Sequence, residues 1–410
     1  MLKVNKLDKK ISMEGTPNWF PVIFKMLKKI KYGKLEIVLS DGRSFIVNGE
    51  KPFLDGKIEI LNDSFFSRLV REGEDAFSES YLDGWWKTDD LIKLLNLIFK
   101  NYEIFKYKLP GSSFIKYYER LIHWLKSNNK FQAKKNIAYH YDLGNNFYKK
   151  WLDKSMTYSS AFFRNENESL EEAQNNKYEM ICQSLNLKPG DHVLDIGCGW
   201  GGFIEYAVKN KGVNITGLTI SNAQFEYTKE RINKLNFNDK ALVLKKDYRD
   251  EKLKYDAIVS IEMFEAVGEK YWPIYFNILK DCLKPDAKAL LQIITISDEL
   301  FEEYRKKVDF IQKYIFPGGM LPSEKVLDKQ VKRIGYSITH KERLTYSYSK
   351  TLNIWHEKFN NVWSDIDTLG FDDRFRRMWN FYFASCSALF ANQICNVTQF
   401  TISNKNNFLS

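Results

Sequence analysis

The chain has 410 residues, 44% of them hydrophobic, with a formal net charge of +10. That length suits two or three domains with a real core, and no run approaches the roughly 18 consecutive apolar residues of a membrane span. Five scattered cysteines without CxxC spacing give no sign of zinc or a disulfide framework, and the basic start MLKVNKLDKK lacks the apolar region of a secretory signal, so a reduced, cytosolic setting fits.

In chain order, the first strand-like runs are Lys34–Leu39 and Lys57–Leu61, read as joined by the turn Asp41-Gly42. Helical patterns follow over Phe65–Arg71 and Asp90–Phe99. Residues 1–102 therefore read as a small α+β domain. Residues 103–135, basic, aromatic and broken at Pro110-Gly111, read as a connector. Lysines cluster at Lys25, Lys28, Lys29, Lys31 and Lys34, and again at Lys126, Lys130, Lys134 and Lys135. Such clusters suit an anionic surface, lipid or nucleic acid, or simply a solvated face.

From residue 136 to 410 strands alternate with helices. Strands are predicted at His192–Ile196, Val213–Leu218, Ala241–Lys245, Ala257–Glu262 and Ala289–Ile296. The helices between them are Gly202–Lys209, Asn222–Leu235 and Tyr271–Leu283. This alternation predicts βαβ units and a doubly wound, parallel α/β sheet, with ligands beyond the C-terminal strand ends.

The first of these strands runs into VLDIGCGWGG, Val193–Gly202. Glycines here let backbone approach a ligand and take positive φ. A dinucleotide site would place an acid at the end of the second strand, but that strand ends Gly217-Leu218-Thr219-Ile220-Ser221. The pattern fits S-adenosylmethionine better. Asp195 and the turn Gly197, Cys198, Gly199 would take its amino-acid end, Thr219, Ser221 and Gln224 its ribose, and Asp247 with Tyr248 its adenine. A base-methylating enzyme is disfavoured: no Asn-Pro-Pro-Tyr motif and no Pro-Cys nucleophile is present, so nucleic acid is not expected as a partner.

The stretches YHYDLGNNFYKKWLDKSMTYSSAFF, ITGLTISNAQ, SIEMFEAVG, DFIQKYIFPGGMLPS, KTLNIWHEKF and RMWNFYFASCSALF follow in order through the second half. Together they resemble the cyclopropane-fatty-acyl-phospholipid synthases, which share a fold with mycolic acid methyltransferases. GKLEIVLSDGRSF and AFSESYLDGWWKTDDLIKLL resemble the small N-terminal domain of the bacterial enzymes. The resemblance implies a class I, Rossmann-like S-adenosylmethionine-dependent methyltransferase that adds a methylene across a cis double bond of a phospholipid acyl chain.

It also implies site residues. Tyr158, Ser159 and Arg249 join the cofactor set, and a bicarbonate acts as base, held by Glu265 and Tyr348, with Ser160 and Gln292 bordering it. Serine and glutamine at the last two positions depart from the cysteine and histidine of many bacterial members. Cys386 matches a family cysteine and is read as pocket lining. Glu262 is left between a cofactor role and a wall role. Phe264, Tyr304, Phe310, Tyr314, Phe316, Trp379, Tyr382 and Phe383 are candidate linings for a cation-shielding pocket. Peripheral association with the inner face of the cell membrane, a lipid-engaging N-terminal domain and a homodimer are implied too. Trp85, Trp86, Phe105, Tyr107, Phe114, Tyr117, Tyr118 and Trp124 are candidates for surface attachment. Alternatives are a lipid methyltransferase that leaves a methyl or methylene branch, a small-amine N-methyltransferase, and an S-adenosylmethionine sensor without turnover.

Overall fold

The computed structural model describes residues 12–105 and 143–404. The chain divides into two compact units, the first holding residues up to Ile115 together with Asp373–Phe381, the second holding Lys116–Asp372 and Tyr382–Ser410.

The first unit is built on a four-stranded sheet of β1 (Tyr32–Val38), β2 (Ser44–Asn48), β3 (Lys51–Ile60) and β4 (Trp86–Lys87), ordered β2-β1-β3-β4. Asp41-Gly42 turns β1 into β2, a strand the sequence reading passed over. The run read as following that turn lies in β3, which pairs parallel to β1. The hairpin is the shorter connection, and β1 and β2 alternate buried with more exposed positions as a one-sided sheet does. Phe20, Phe24, Phe45 and Phe66 pack edge to face beneath it. Asn101 is buried and ties the strand entry: its Oδ1 accepts from the Lys31 and Tyr32 amides, and its Nδ2 donates to the Tyr32 carbonyl. Trp86 is 1% exposed, packs on Phe77 and Tyr81 and donates to the Phe77 carbonyl, so it belongs to the core and not to an attachment surface. Trp85 is half-buried beneath the Arg68 guanidinium. The connector's remaining aromatic residues and its lysine cluster lie outside the described residues, as does nearly all of 103–135.

The second unit carries a seven-stranded sheet ordered β10-β11-β9-β8-β5-β6-β7. Its strands are β5 (His192–Ile196), β6 (Asn214–Thr219), β7 (Ala241–Lys245), β8 (Tyr255–Ile261), β9 (Leu283–Ile296), β10 (Tyr336–Arg343) and β11 (Cys395–Asn404). Strands β7-β6-β5-β8-β9 are parallel, as the alternation predicts. β11 runs antiparallel to both β9 and β10, so the sheet is mixed. The chain leaves β5 toward β6 on one side and later places β8 on the other, so the C-terminal end of β5 is a switch point with a crevice. β5 is apolar because both its faces are covered, with Val193, Leu194 and Ile196 at 1% exposure or less. The helix Leu170–Leu185 packs on this layer and starts on a capping box of Ser169 and Glu172.

Candidate active site

The glycine turn follows β5 directly. Gly197, Gly199 and Gly201 all have positive φ, and the Gly197 and Cys198 amides both donate to the Leu218 carbonyl. A Cβ on Gly197 would sit 2.5 Å from Met263, whereas one on Gly199 would meet nothing within 4 Å. The Gly199 backbone therefore faces open space, a cradle suited to a ligand. Beside it Asp195 is 2% exposed, and burial raises its carboxyl to about 7.

At the end of β6, the Thr219 hydroxyl donates to Gln224 Oε1, and Ser221 caps the next helix by accepting from the Gln224 amide. This fixes the Gln224 carboxamide with its Nε2 making no hydrogen bond among the described residues. Both Asp247 oxygens accept from the Arg249 guanidinium, at 2.8 and 2.7 Å, at the end of β7, while Tyr248 packs edge-on against Tyr275.

The carboxylates after β8 form the second half of the site. Glu262 takes φ +48, a left-handed conformation costing a non-glycine residue about 1 kcal/mol. Its amide donates to the Gln292 carbonyl, which holds the turn, and its Oε1 accepts from the Ser160 amide at 2.8 Å and from Gln292 Nε2 at 2.7 Å. Gln292 is oriented from behind, because Gln399 Nε2 donates to its Oε1 from the paired position on β11. The Tyr348 hydroxyl lies against the same Glu262 carboxylate.

Glu265 sits one short turn on. Its Oε1 accepts from the Ile294 amide, and its Oε2 is buried without a hydrogen-bond partner among the described residues. Burial, reinforced by the Glu262 charge, raises Glu265 to about 8. Burial raises Glu262 as well, and the Lys177 ammonium pulls it back. Lys177 is itself fully buried, donates to Ser159 Oγ at 2.7 Å, and is lowered to about 7 by that burial against the pull of Glu262, Asp153 and Asp195. Lys177 was missed by motif reading. Its signal was phase: it falls four residues from both Ala173 and Ile181, on the buried face of its helix.

An aromatic wall closes this region. The Tyr158 hydroxyl meets that of Tyr382 at 2.8 Å, and the Tyr158 ring packs near Trp355, Trp151, Tyr148 and Phe316. Phe383 packs on Trp151 and Trp355. Cys386 keeps some accessible surface on the same helix as Phe383, and burial pushes its thiol well above the ordinary range, which favours the neutral thiol. Phe264 instead joins Trp272, Tyr275 and Phe276 in the core, and Trp379 belongs to the first unit, where it packs on Phe375.

A bicarbonate held as the resemblance implies needs the donors around Ser160 and Gln292. Here the Ser160 amide, the Gln292 carboxamide and the Tyr348 hydroxyl all face Glu262, and the Ile294 amide serves Glu265. These residues do not fit an additional bound anion.

The sheet order, the glycine cradle past β5 and the polar set after β6 and β7 define a class I S-adenosylmethionine-dependent methyltransferase. More narrowly, residues 128–400 match the mycolic acid cyclopropane synthetase family, and the chain belongs to it. The cyclopropane-fatty-acyl-phospholipid synthase of Escherichia coli is 34% identical over 84% of this chain and 86% of its own. The tuberculostearic acid methyltransferase of Mycobacterium tuberculosis is 33% identical over 90% and 87%. A mycolic acid cyclopropane synthase crystallised with S-adenosylhomocysteine superposes with a TM-score of 0.62 at 30% identity, covering 66% of this chain and 97% of that one.

Proposed function

We propose that this chain transfers a methylene from S-adenosylmethionine to the cis double bond of an unsaturated phospholipid acyl chain, forming a cyclopropane. The observation that carries the reading is the joining of a methyltransferase cradle to a buried carboxylate cluster and an aromatic wall. S-adenosylmethionine, when bound, supplies an electrophilic methyl group. Asp195, the Gly197–Gly199 backbone, Thr219, Ser221 and Gln224 would hold it, and Ser159 stands next to them on Lys177.

An alkene that gains a methyl becomes a cation, which water would trap as an alcohol. The rings of Tyr158, Trp355, Phe316 and Tyr382 exclude water and turn electron-rich faces toward positive charge. A buried carboxylate then accepts the proton whose loss allows ring closure.

The acyl substrate lies in a bilayer. Among the described residues no helix is long and apolar enough to cross one, so the proposal includes peripheral docking. The resemblance adds a homodimer at the inner face of the cell membrane and a lipid-engaging N-terminal domain.

The test is lipid mass spectrometry on a host rich in monounsaturated phospholipids, with and without the protein, followed by NMR of new species. A gain of one CH₂ with cyclopropyl proton signals is expected. Unchanged lipid would sink the reading. A second reading, a methyl or methylene branch without ring closure, is favoured by the similarity to the tuberculostearic acid methyltransferase, and vinylidene signals or a saturated branch would select it.

A further inference from the structure

Four features converge on one side chain. Glu262 is a non-glycine residue in left-handed backbone. A glycine would adopt that φ without strain, so something else fixes a glutamate there, and strained residues of this kind cluster where geometry serves function. Its Oε1 is clamped by two donors, one from backbone and one from Gln292, which Gln399 holds in the donating orientation. The residue as a whole is half-buried, not locked in the solid core. The donors it occupies are those which a free anion would need.

We propose that Glu262 is the proton acceptor of this site, a carboxylate supplied by the chain itself in place of an external bicarbonate. This rests on the cyclopropanation reading and deepens it. Once the acyl chain carries the transferred methyl and the resulting cation, a C–H bond of that methyl breaks as the proton goes to a Glu262 oxygen. The released electron pair forms the second ring C–C bond. Cation and carboxylate become a neutral ring and a neutral acid, so charge balances, and no further reactant enters.

The neighbours suit the role. Lys177 favours the ionised form of Glu262, while the Glu262 charge adds to burial in favouring the protonated form of Glu265, pushed up to about 8. Of two neighbouring carboxyls, the one beside a cation is the readier base and the one beside a like charge the readier acid. Desolvation makes the Glu262 carboxylate a stronger base than one in water.

The experiment uses the full chain, S-adenosylmethionine and vesicles of monounsaturated phospholipid in carbon-dioxide-free buffer. Three forms are compared: wild type, Glu262→Gln and Glu262→Gly. Wild-type turnover should stay within about twofold with or without added bicarbonate. Glu262→Gln keeps an acceptor oxygen but loses basicity, and should lose on the order of 100-fold in turnover with S-adenosylmethionine affinity unchanged. Glu262→Gly relieves the backbone strain, so it folds. Its turnover should fall similarly and recover at least about tenfold with bicarbonate, because the Ser160 and Gln292 donors become available.

Line broadening of ¹³C-bicarbonate reads the same inference without turnover: none is expected with wild type, and clear broadening with Glu262→Gly. Wild type that binds or requires bicarbonate, or Glu262→Gln with undiminished turnover, would overturn the assignment. Absence of any lipid product would instead overturn the cyclopropanation reading, while the bicarbonate signal would still decide the role of Glu262's carboxylate.

Discussion

At the residue scale, three buried ionisable groups hold one another's charge states, and two substitutions separate them. Glu265 has a folded-state value near 8 against an ordinary 4.5, so the folded protein binds the proton more tightly. Its contribution to stability is fully present below about pH 4.5 and is lost as pH rises through 8. Relative to Glu265→Gln, which cannot titrate, wild type should lose on the order of 3–4 kcal/mol between pH 5 and pH 8. Urea melts of both proteins at the two pH values measure this, and parallel trends would contradict it. Lys177→Met removes the charge that favours ionised Glu262, so the Glu262 carboxyl rises further. The acid limb of the pH–rate profile should move up by about one unit, with an unmoved limb counting against the coupling. Sequence exposed this site unevenly. Glu265, Tyr348, Ser160 and Gln292 were readable because motif residues neighbour them in the chain. The clamp on Glu262 was not, because it depends on a backbone φ and on Gln399 arriving from a strand more than a hundred residues away.

At the scale of elements, the β5 turn assigns different jobs to neighbouring glycines. Gly199→Ala meets no neighbour but keeps φ +55, so the fold should lose about 1 kcal/mol. The new methyl enters the cradle, and S-adenosylmethionine affinity should fall at least about tenfold. Gly197→Ala drives a Cβ into Met263 beside Glu262, so its main cost should be stability, on the order of 2–3 kcal/mol. Calorimetric titration and thermal melts together distinguish the two, and equal losses of stability would refute the division. The parallel half of the sheet was legible for the same local reason as this turn: each strand carries a short apolar run, and helices separate β5 from β6, β6 from β7 and β8 from β9, with only the short turn Tyr248–Asp250 between β7 and β8. β10 and β11 were not. Their sequences, YSITHKER and CNVTQFTISN, carry polar residues at inward positions such as Thr398 and Gln399, both 1% exposed or less. Gln399 orients Gln292 in the site, and β10 is an edge strand whose residues are mostly half-buried or exposed, so neither strand shows the apolar pattern that marks a buried one.

At the scale of the whole molecule, the proposed substrate is a lipid and the chain is basic, so the proposal needs a surface that could meet a bilayer. The helix Phe20–Leu27 buries Phe20, Ile23, Phe24 and Leu27 in the first unit. It leaves Trp19 at 47% and Val22 at 54% exposure, with Lys25, Lys28 and Lys29 exposed alongside. Apolar tips beside a row of ammonium groups match an anionic interface: the rings enter among the headgroups while the lysines meet phosphate. Each lysine near such a surface contributes about 1 kcal/mol, a share screened within a Debye length. Replacing Lys25, Lys28 and Lys29 by Gln should therefore weaken binding to anionic vesicles by roughly 3 kcal/mol at low salt, more than a hundredfold in partition coefficient, and by much less at 0.5 M salt. Trp19→Ala removes an apolar contact that salt does not screen, so its deficit should persist at both ionic strengths. Co-sedimentation with vesicles containing phosphatidylglycerol, at two salt concentrations, reads both effects. The two variants must differ in salt dependence if this face docks. A matching loss for both would point to damage within the first unit, and no loss for either would place the lipid-binding surface elsewhere on the chain.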